Sequence, residues 1–189
     1  MTVLAIAVGV LLLILIALAS CNAAAKADEE LERMARSFVI APEPTPEPTM
    51  KPWVRYPVPM TDELQRYVVD VCLEYNVAPC IVFAVMGVET HGTYDPSLIG
   101  DNGNSFGLMQ IYRFWHEARM ERLGVTDLLD PYQNVLVGID LLAELLDIYD
   151  LDGALNYYNS GSTTGAPGYA YTVQRNAECI LEGAMVVAE

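Results

Sequence analysis

The residue best placed for acid chemistry in this chain is Glu89, which closes the apolar run at residues 81–88. An ionised carboxylate is poorly solvated beside such a run, so burial in a helix is expected to raise the pKa of the Glu89 carboxyl. The partial negative charge of a helix C-terminus acts in the same direction. A carboxyl that stays protonated near neutral pH can donate a proton to a glycosidic oxygen. The alternative is a glutamate that merely ends a core helix.

Further motifs follow this glutamate in order along the chain. Residues 89–92 read Glu-Thr-His-Gly, residues 100–111 read Gly-Asp-Asn-Gly-Asn-Ser-Phe-Gly-Leu-Met-Gln-Ile, and residues 154–161 read Ala-Leu-Asn-Tyr-Tyr-Asn-Ser-Gly. In combination they resemble the superfamily of soluble lytic transglycosylases and goose-type lysozymes, over roughly residues 61–189. Those enzymes cut the β-1,4 bond between N-acetylmuramic acid and N-acetylglucosamine in peptidoglycan.

The resemblance implies a lysozyme-like fold and names the residues that contact the sugar. By position in the motifs these are Ser105, Met109, Gln110, Tyr158 and Asn159. Family members place the tyrosine that matches Tyr158 opposite the catalytic glutamate. Without the resemblance, Gln110 is as well explained as a buried structural glutamine. Likewise, Tyr158 and Asn159 alone fit a core residue and the end of a short helix.

Asp101 is the candidate for a second catalytic carboxylate. An inverting glycosidase needs a carboxylate opposite the acid to hold the attacking water. Asp101 matches an aspartate in the Gly-Asp-x-Gly-Asn pattern of goose-type lysozymes, and its alternative role is that of a turn residue. The other goose-type aspartate would follow Gln110-Ile111, where this chain has Tyr112. That departure favours a transglycosylase over a hydrolase.

The expected reaction therefore requires only Glu89. In a lytic transglycosylase the glutamic acid protonates the leaving oxygen and then accepts the proton of the muramic C6 hydroxyl, which attacks C1. The product ends in 1,6-anhydro-N-acetylmuramic acid. The alternatives are a goose-type hydrolytic muramidase that uses Glu89 and Asp101, and a wall-binding module without catalytic activity.

Composition limits the other partners. The formal net charge is −15 and no stretch is rich in Lys or Arg, so nucleic acid is not an expected partner. His91 and His116 have no Cys or carboxylate at ligand spacing, so we expect no metal site and no cofactor. We expect a monomer that acts on peptidoglycan glycan strands.

Residues 1–25 are predicted to be a signal or membrane anchor. Residues 3–19 are apolar throughout, at the short end of what spans a bilayer and longer than the usual core of a signal peptide. The sequence Leu18-Ala19-Ser20-Cys21 resembles a lipoprotein processing box, and Ala23-x-Ala25 fits an ordinary cleavage site. An uncleaved helix, acylation at Cys21 and a cleaved signal all remain open. The expected location is extracytoplasmic, anchored in the membrane and facing the cell wall.

A charged and Pro-rich linker is predicted over residues 26–60, with proline at every second position from 42 to 48. Residues 61–189 then form one mainly α domain, with β structure limited to a short hairpin. The predicted helices start at Thr61 and Pro79, cover 106–123, run from Asp130-Pro131 to about Tyr149, and cover 152–158 and 169–187. Phe114 and Trp115 are expected to pack within a helix. Cys72, Cys80 and Cys179 permit one disulfide or free thiols.

Overall fold

The structure, a computed structural model, describes residues 53–165 and 168–187, together with Lys26 and Glu29. The chain divides into two units, Met1–Thr49 and Met50–Glu189. In the first unit, Lys26 and Glu29 are helical and exposed. The apolar segment 3–19 and Cys21 lie outside the described residues, so the anchor stays a prediction. No helix within the described part of the chain has the length and apolarity needed to cross a membrane.

The described part of the second unit is mainly helical, as predicted, but its β structure exceeds the one short hairpin that was expected, because it forms a two-stranded and a three-stranded antiparallel sheet. In chain order its elements are β1 Trp53–Arg55, α1 Asp62–Glu74, α2 Pro79–Glu89, β2 Ile99–Gly100, β3 Ser105–Phe106, β4 Ile111–Tyr112, α3 Arg113–Leu123, α4 Pro131–Ile148, α5 Leu151–Ser160, α6 Tyr169–Glu182 and β5 Met185–Val187. The N-cap at Thr61 is confirmed, because its hydroxyl accepts a hydrogen bond from the Leu64 N–H at 3.3 Å. The predicted starts at Pro79 and Asp130-Pro131 are confirmed as well.

Helix α2 is the centre of the fold. Its buried residues run without a break from Ile81 to Met86, so it presents apolar surface on every side. Such a helix must be surrounded by other elements. It packs chiefly against α6 and also against α1, while α4 packs against α1 and α5. This arrangement buries the body of α2 and leaves its last residue, Glu89, only partly buried.

Residues 106–112 are not helical, so the prediction of one helix over 106–123 is wrong for its first part. They belong to the sheet β2-β3-β4 and to the turn between β3 and β4. Gly107 and Gln110 have φ of 72° and 45°, a left-handed conformation that an α-helix cannot contain. The apolar Leu108 and Met109, which suggested a helix face, are instead fully buried in the turn. Helix α3 starts only at Arg113 and ends, as predicted, at a left-handed Gly124.

The buried side chain of Asn134 on α4 fixes this turn. Its Oδ1 accepts a hydrogen bond from the Met109 N–H at 2.9 Å, and its Nδ2 donates to the carbonyls of Phe106 at 2.8 Å and Leu128 at 2.9 Å. Gly107 lies directly against the same amide, where a Cβ would come within 2.5 Å of Nδ2. The turn therefore pairs its backbone groups with a side chain rather than with a helix.

Helix α3 is joined to α4 through charged groups. Arg119 donates hydrogen bonds to Asp140 and Glu144, and Arg122 donates to Asp140 at 2.6 and 3.1 Å. Burial alone would raise the pKa of Asp140, but hydrogen bonds and positive charge from Arg122 and Arg119 outweigh it and lower the pKa. Asp140 thus stays ionised. Met120 is the one buried residue of α3 and Leu123 packs against the core, so the ion pairs add to a small apolar contact.

The last helix ends earlier than predicted. Helix α6 stops at Glu182, and the prediction of helix to Val187 is wrong because Met185–Val187 form β5, which pairs with β1. Trp53 lies opposite Val187 in this antiparallel ladder. Tyr56 and Val58, which composition assigned to the linker, are buried in the core. Residues 53–60 therefore pack as part of the compact unit.

The cysteines within the described residues, Cys72, Cys80 and Cys179, are free thiols. Cys72 is buried, and this burial raises the pKa of its thiol to about 12. A thiol with so high a pKa is neutral and unreactive at physiological pH. Cys179 lies on the surface of α6.

The Asn134 contacts predict a large loss of stability on truncation. Asn134→Ala removes the side-chain partner of two buried and one partly buried backbone group, which should lower the free energy of unfolding by about 3 kcal/mol. Asn176→Ala, the same change at an exposed position of α6, should stay within about 0.5 kcal/mol. Urea unfolding followed by circular dichroism measures both variants. Equal stability of the two would contradict the role given to Asn134.

Candidate functional site

A cleft of about 970 Å³ opens at the C-terminal end of α2. The sheet β2-β3-β4, the start of α3, the end of α5 and two leucines of α4 complete its walls. The predicted site residues that line it are Glu89, Asp101, Ser105, Gln110, Tyr158 and Asn159. Residues far apart in the sequence are thus brought to one surface.

The Glu89 carboxyl lies in this cleft and is partly buried. Burial raises its pKa, and the nearby negative charge of Asp101 raises it further. A hydrogen bond from the Tyr169 hydroxyl to Oε1 at 2.6 Å and the charge of His91 act in the opposite direction, but the net pKa remains above the usual value. The expectation of a raised pKa from the apolar run is therefore met. Glu89 keeps its proton to a higher pH than an exposed glutamate does.

The backbone that follows Glu89 is held rigidly. The Thr90 hydroxyl donates to the Met86 carbonyl at 2.7 Å and accepts from the Tyr94 N–H at 2.9 Å. The Tyr94 hydroxyl returns to α2 and donates to the Phe83 carbonyl at 3.0 Å. The ring approaches Gly87 so closely that a Cβ there would lie 2.7 Å from the hydroxyl. These contacts fix the end of α2 and hence the position of the Glu89 side chain.

Tyr158 reaches the cleft from α5. Its hydroxyl donates to the Met109 carbonyl at 2.7 Å, and both burial and the charge of Glu89 raise its pKa well above the usual value. The tyrosine is therefore a neutral hydrogen-bonding group beside the carboxyl. Met109 contributes its carbonyl, while its side chain is fully buried and packs against Gly138. Of the predicted contact residues, Met109 is the one that does not line the cleft.

Asp101 stands on the turn between β2 and β3 with φ of 48°. Its carboxylate accepts a short hydrogen bond from the hydroxyl of the buried Ser105, and its carbonyl accepts from the Asn104 amide at 2.7 Å. The residue is exposed to the cleft and close enough to Glu89 to raise the pKa of that carboxyl. Both sequence interpretations therefore have a structural basis: Asp101 is a turn residue and a carboxylate of the site.

Gln110 also combines two roles. Its Nε2 donates to the carbonyls of Gly107 at 2.8 Å and Leu98 at 3.1 Å, which ties the β3–β4 turn to the start of β2. Its side chain nevertheless lines the cleft, and its Oε1 would lie 2.3 Å from a Cβ at Gly100. Gly100 therefore leaves room for the Gln110 amide, and a larger residue at position 100 would force that side chain to shift. Asn159 is exposed at the rim.

Phe114 and Trp115 are not packed inside the protein, contrary to the expectation from their helical position. They are 66% and 73% exposed at the start of α3. Trp115 and its neighbour Tyr112 line the cleft, with ring centroids 6.5 Å apart. One end of the cleft is thus aromatic.

Sequence reasoning missed Tyr169, the hydrogen-bond partner of Glu89. It lies 80 residues further along the chain, as the first residue of α6. Burial and the neighbouring Glu89 raise the pKa of its hydroxyl, so it remains a donor. No local motif marks it. Only the packing of α6 on α2 brings the two side chains together.

The described residues contain no group of three His, Cys, Asp or Glu side chains arranged to hold a metal ion. His91 and His116 both line the cleft, but burial and the charge of Arg119 lower the pKa of His116 and keep it neutral. Besides these histidines, the polar side chains that line the cleft include Glu89, Asp101 and Tyr158.

Comparison with known proteins agrees with this arrangement. The family model described as Transglycosylase SLT domain matches residues 68–176. A transglycosylase of Enterobacteria phage PRD1 is 38% identical over 90 residues, which cover 47% of this chain and 31% of the phage protein. Invasion protein IagB of Salmonella typhi is 30% identical over 96 residues, which cover 47% of this chain and 58% of IagB. The chain thus matches only part of each relative. Because the family model covers more than half of the chain and every residue that lines the cleft, this chain belongs to the transglycosylase SLT domain family.

Proposed function

We propose that this chain is a peptidoglycan lytic transglycosylase that cleaves the β-1,4 bond between N-acetylmuramic acid and N-acetylglucosamine. The observation that carries the proposal is the Glu89 carboxyl, held at the end of an apolar helix and open to the cleft. Family membership and the name of the phage relative support the class of reaction. A carboxyl with a raised pKa is what protonation of a sugar leaving group requires.

In the proposed mechanism, Glu89 performs both proton transfers. It donates its proton to the glycosidic oxygen as the bond to C1 breaks, and the resulting carboxylate then accepts the proton of the muramic C6 hydroxyl as that oxygen attacks C1. The Tyr169 hydroxyl donates to Oε1, which orients the carboxyl and stabilises its ionised form between the two transfers. Tyr158 supplies a neutral polar surface next to the carboxyl. Tyr169 is thus a positioning residue for Glu89.

Asp101 supports the alternative of a goose-type muramidase, in which it would hold the attacking water. Two features favour the transglycosylase. Its carboxylate already accepts a hydrogen bond from Ser105 as part of the β2–β3 turn. The place of the other goose-type aspartate is taken by Tyr112, an aromatic residue of the cleft wall. We therefore propose 1,6-anhydro ends as the product.

We further propose that the N-terminal segment anchors the enzyme to a membrane so that the domain faces the cell wall. The support is in the sequence: the apolar residues 3–19, the lipoprotein-like box that ends at Cys21, and the proline-rich spacer at 42–48. A semi-rigid spacer of this kind separates the domain from its anchor.

Glu89→Gln is expected to lower the release of soluble fragments from purified peptidoglycan by at least about a hundredfold, because an amide cannot donate the proton. Glu121→Gln, the same change at an exposed residue of α3, should leave the rate unchanged. Near wild-type activity of Glu89→Gln would remove Glu89 from the mechanism.

The raised pKa of Glu89 means that its contribution to the stability of the fold is lost as pH rises through the folded pKa. Glu89→Gln should therefore stabilise the fold more at pH 8 than below the usual glutamate pKa of 4.5.

Asp101→Asn separates the two enzymatic mechanisms. Asparagine tolerates the left-handed backbone at this position and can still accept from Ser105, so the turn is preserved. If the enzyme is a muramidase that uses Asp101 as its general base, Asp101→Asn should lower the rate about a hundredfold or more. If it is a transglycosylase, Asp101→Asn should change the rate little. The exposed control Asp147→Asn should change the rate little in either case. Mass spectrometry of the peptidoglycan fragments released by the wild-type enzyme should find products that are lighter by one water than hydrolytic products and that borohydride does not reduce. Fragments that borohydride reduces throughout would favour the muramidase instead.

Fractionation of cells that express the full chain tests the anchor. We expect the protein to sediment with membranes, because residues 3–19 are apolar enough to remain in a bilayer. Cys21→Ala then separates the two types of anchor. Loss of an acyl mass and of membrane retention identifies a lipoprotein, and an unchanged mass with full retention identifies an uncleaved helix. Recovery of the protein from the soluble cytoplasm would contradict both.

A further inference from the structure

The start of α3 exposes an aromatic surface that the fold does not need. Phe114 and Trp115 remain 66% and 73% exposed, and Met120 is the one buried residue of this helix. The contacts that attach the helix lie further along it: Met120 and Leu123 pack on the core, and Arg119 and Arg122 pair with Asp140. Exposed large aromatics beside one another indicate a binding surface when packing does not explain them.

The Trp115 ring has an aromatic neighbour on each side, Phe114 and Tyr112. The Phe114 ring meets the Trp115 ring edge to face, with centroids 4.9 Å apart and an interplanar angle of 80°. On the other side, Tyr112 lies 6.5 Å from Trp115 at an interplanar angle of 36°. Phe114 therefore braces the indole from outside the cleft, while Tyr112 and Trp115 both face into it.

We propose that Tyr112 and Trp115 form a stacking subsite for a pyranose ring of a β-1,4-linked N-acetylhexosamine strand. The proposal rests on the proposed function for the identity of the strand. The axial C–H groups of a β-linked hexopyranose form an apolar face that fits the face of an indole, while its equatorial polar groups point outward to water. The subsite would hold a sugar away from the cleaved bond and keep the strand in register with Glu89.

A glycan is favoured over a docked protein because the aromatic surface continues into the cleft. The cleft that Tyr112 and Trp115 line is also lined by His116, Asp101 and Asn159. Aromatic rings together with a few polar side chains in a concave surface are typical of small-molecule and sugar sites. The neutral His116, whose pKa is lowered by burial and by Arg119, adds a polar group without charge.

The tryptophan content allows a direct test. The chain contains two tryptophans, and Trp53 lies in β1, outside the cleft, with the Arg66 guanidinium 4.6 Å from its ring centroid. Trp115 is therefore the tryptophan whose environment a cleft ligand can change. In full-length Glu89→Gln, which should prevent turnover, titration with the hexamer of β-1,4-linked N-acetylglucosamine should shift the emission to the blue and protect it from acrylamide.

Variants then measure the contribution of the ring. In the same background, Trp115→Ala should weaken hexamer binding by about tenfold or more in calorimetry, since a large stacked ring is lost. Trp115→Tyr, which keeps a ring, should recover most of the affinity. Tyr171→Ala, which removes an equally exposed aromatic ring on α6, should change nothing.

Each outcome bears on the proposal. Unchanged hexamer affinity in Trp115→Ala, binding without a change in emission, or no binding at millimolar hexamer would overturn the subsite. The test is independent of the catalytic proposal, because it reports binding in a variant that need not turn over. If Glu89 proves dispensable for catalysis, the emission shift would still stand. If only the shift is absent, the subsite fails and the proposed reaction does not.

Discussion

The hydrogen bonds of the buried Asn134 amide are the interaction on which the site most depends. The turn between β3 and β4 contains left-handed residues and bonds within itself only in part: the Gln110 N–H donates to the Gly107 carbonyl at 3.2 Å, whereas the Met109 N–H and the Phe106 carbonyl have a side-chain partner on α4. Asn134 pairs the Met109 N–H and the Phe106 carbonyl and links both to α4. The Met109 carbonyl, thus positioned, accepts from Tyr158, whose pKa is raised by burial and by the charge of Glu89. One amide on α4 therefore connects a loop, a neighbouring helix and the candidate acid.

The sequence predicts helix boundaries well where a local signal sets them. Thr61, Pro79 and Asp130 each cap or start a helix through atoms that are close in sequence, and Gly124 ends one by its left-handed backbone. The predicted secondary structure is wrong where residues distant in sequence determine the backbone conformation. Residues 106–112 are apolar enough for a helix but pair as strands around Asn134. Residues 185–187 are a strand rather than part of α6 because they pair with residues 53–55 of β1.

The same distinction explains the site. Glu89, Asp101, Gln110 and Tyr158 belong to motifs, so their presence at one cleft could be predicted from the resemblance. Tyr169 has no motif, and its contact with Glu89 exists only because α6 lies against α2. The sequence predicts that Trp115 packs within its helix, but the ring is 73% exposed. Met120 and the ion pairs of Asp140 attach that helix beyond Trp115, so the ring is not used in packing.

The pairing of β1 with β5 has a mechanical consequence. Since Trp53 lies opposite Val187, the first and last described residues of the fold are neighbours. The chain therefore enters and leaves the described fold at the same edge, formed by β1 and β5. Neither strand lines the cleft. A chain segment attached next to either strand would therefore start at an edge that contributes no residue to the cleft.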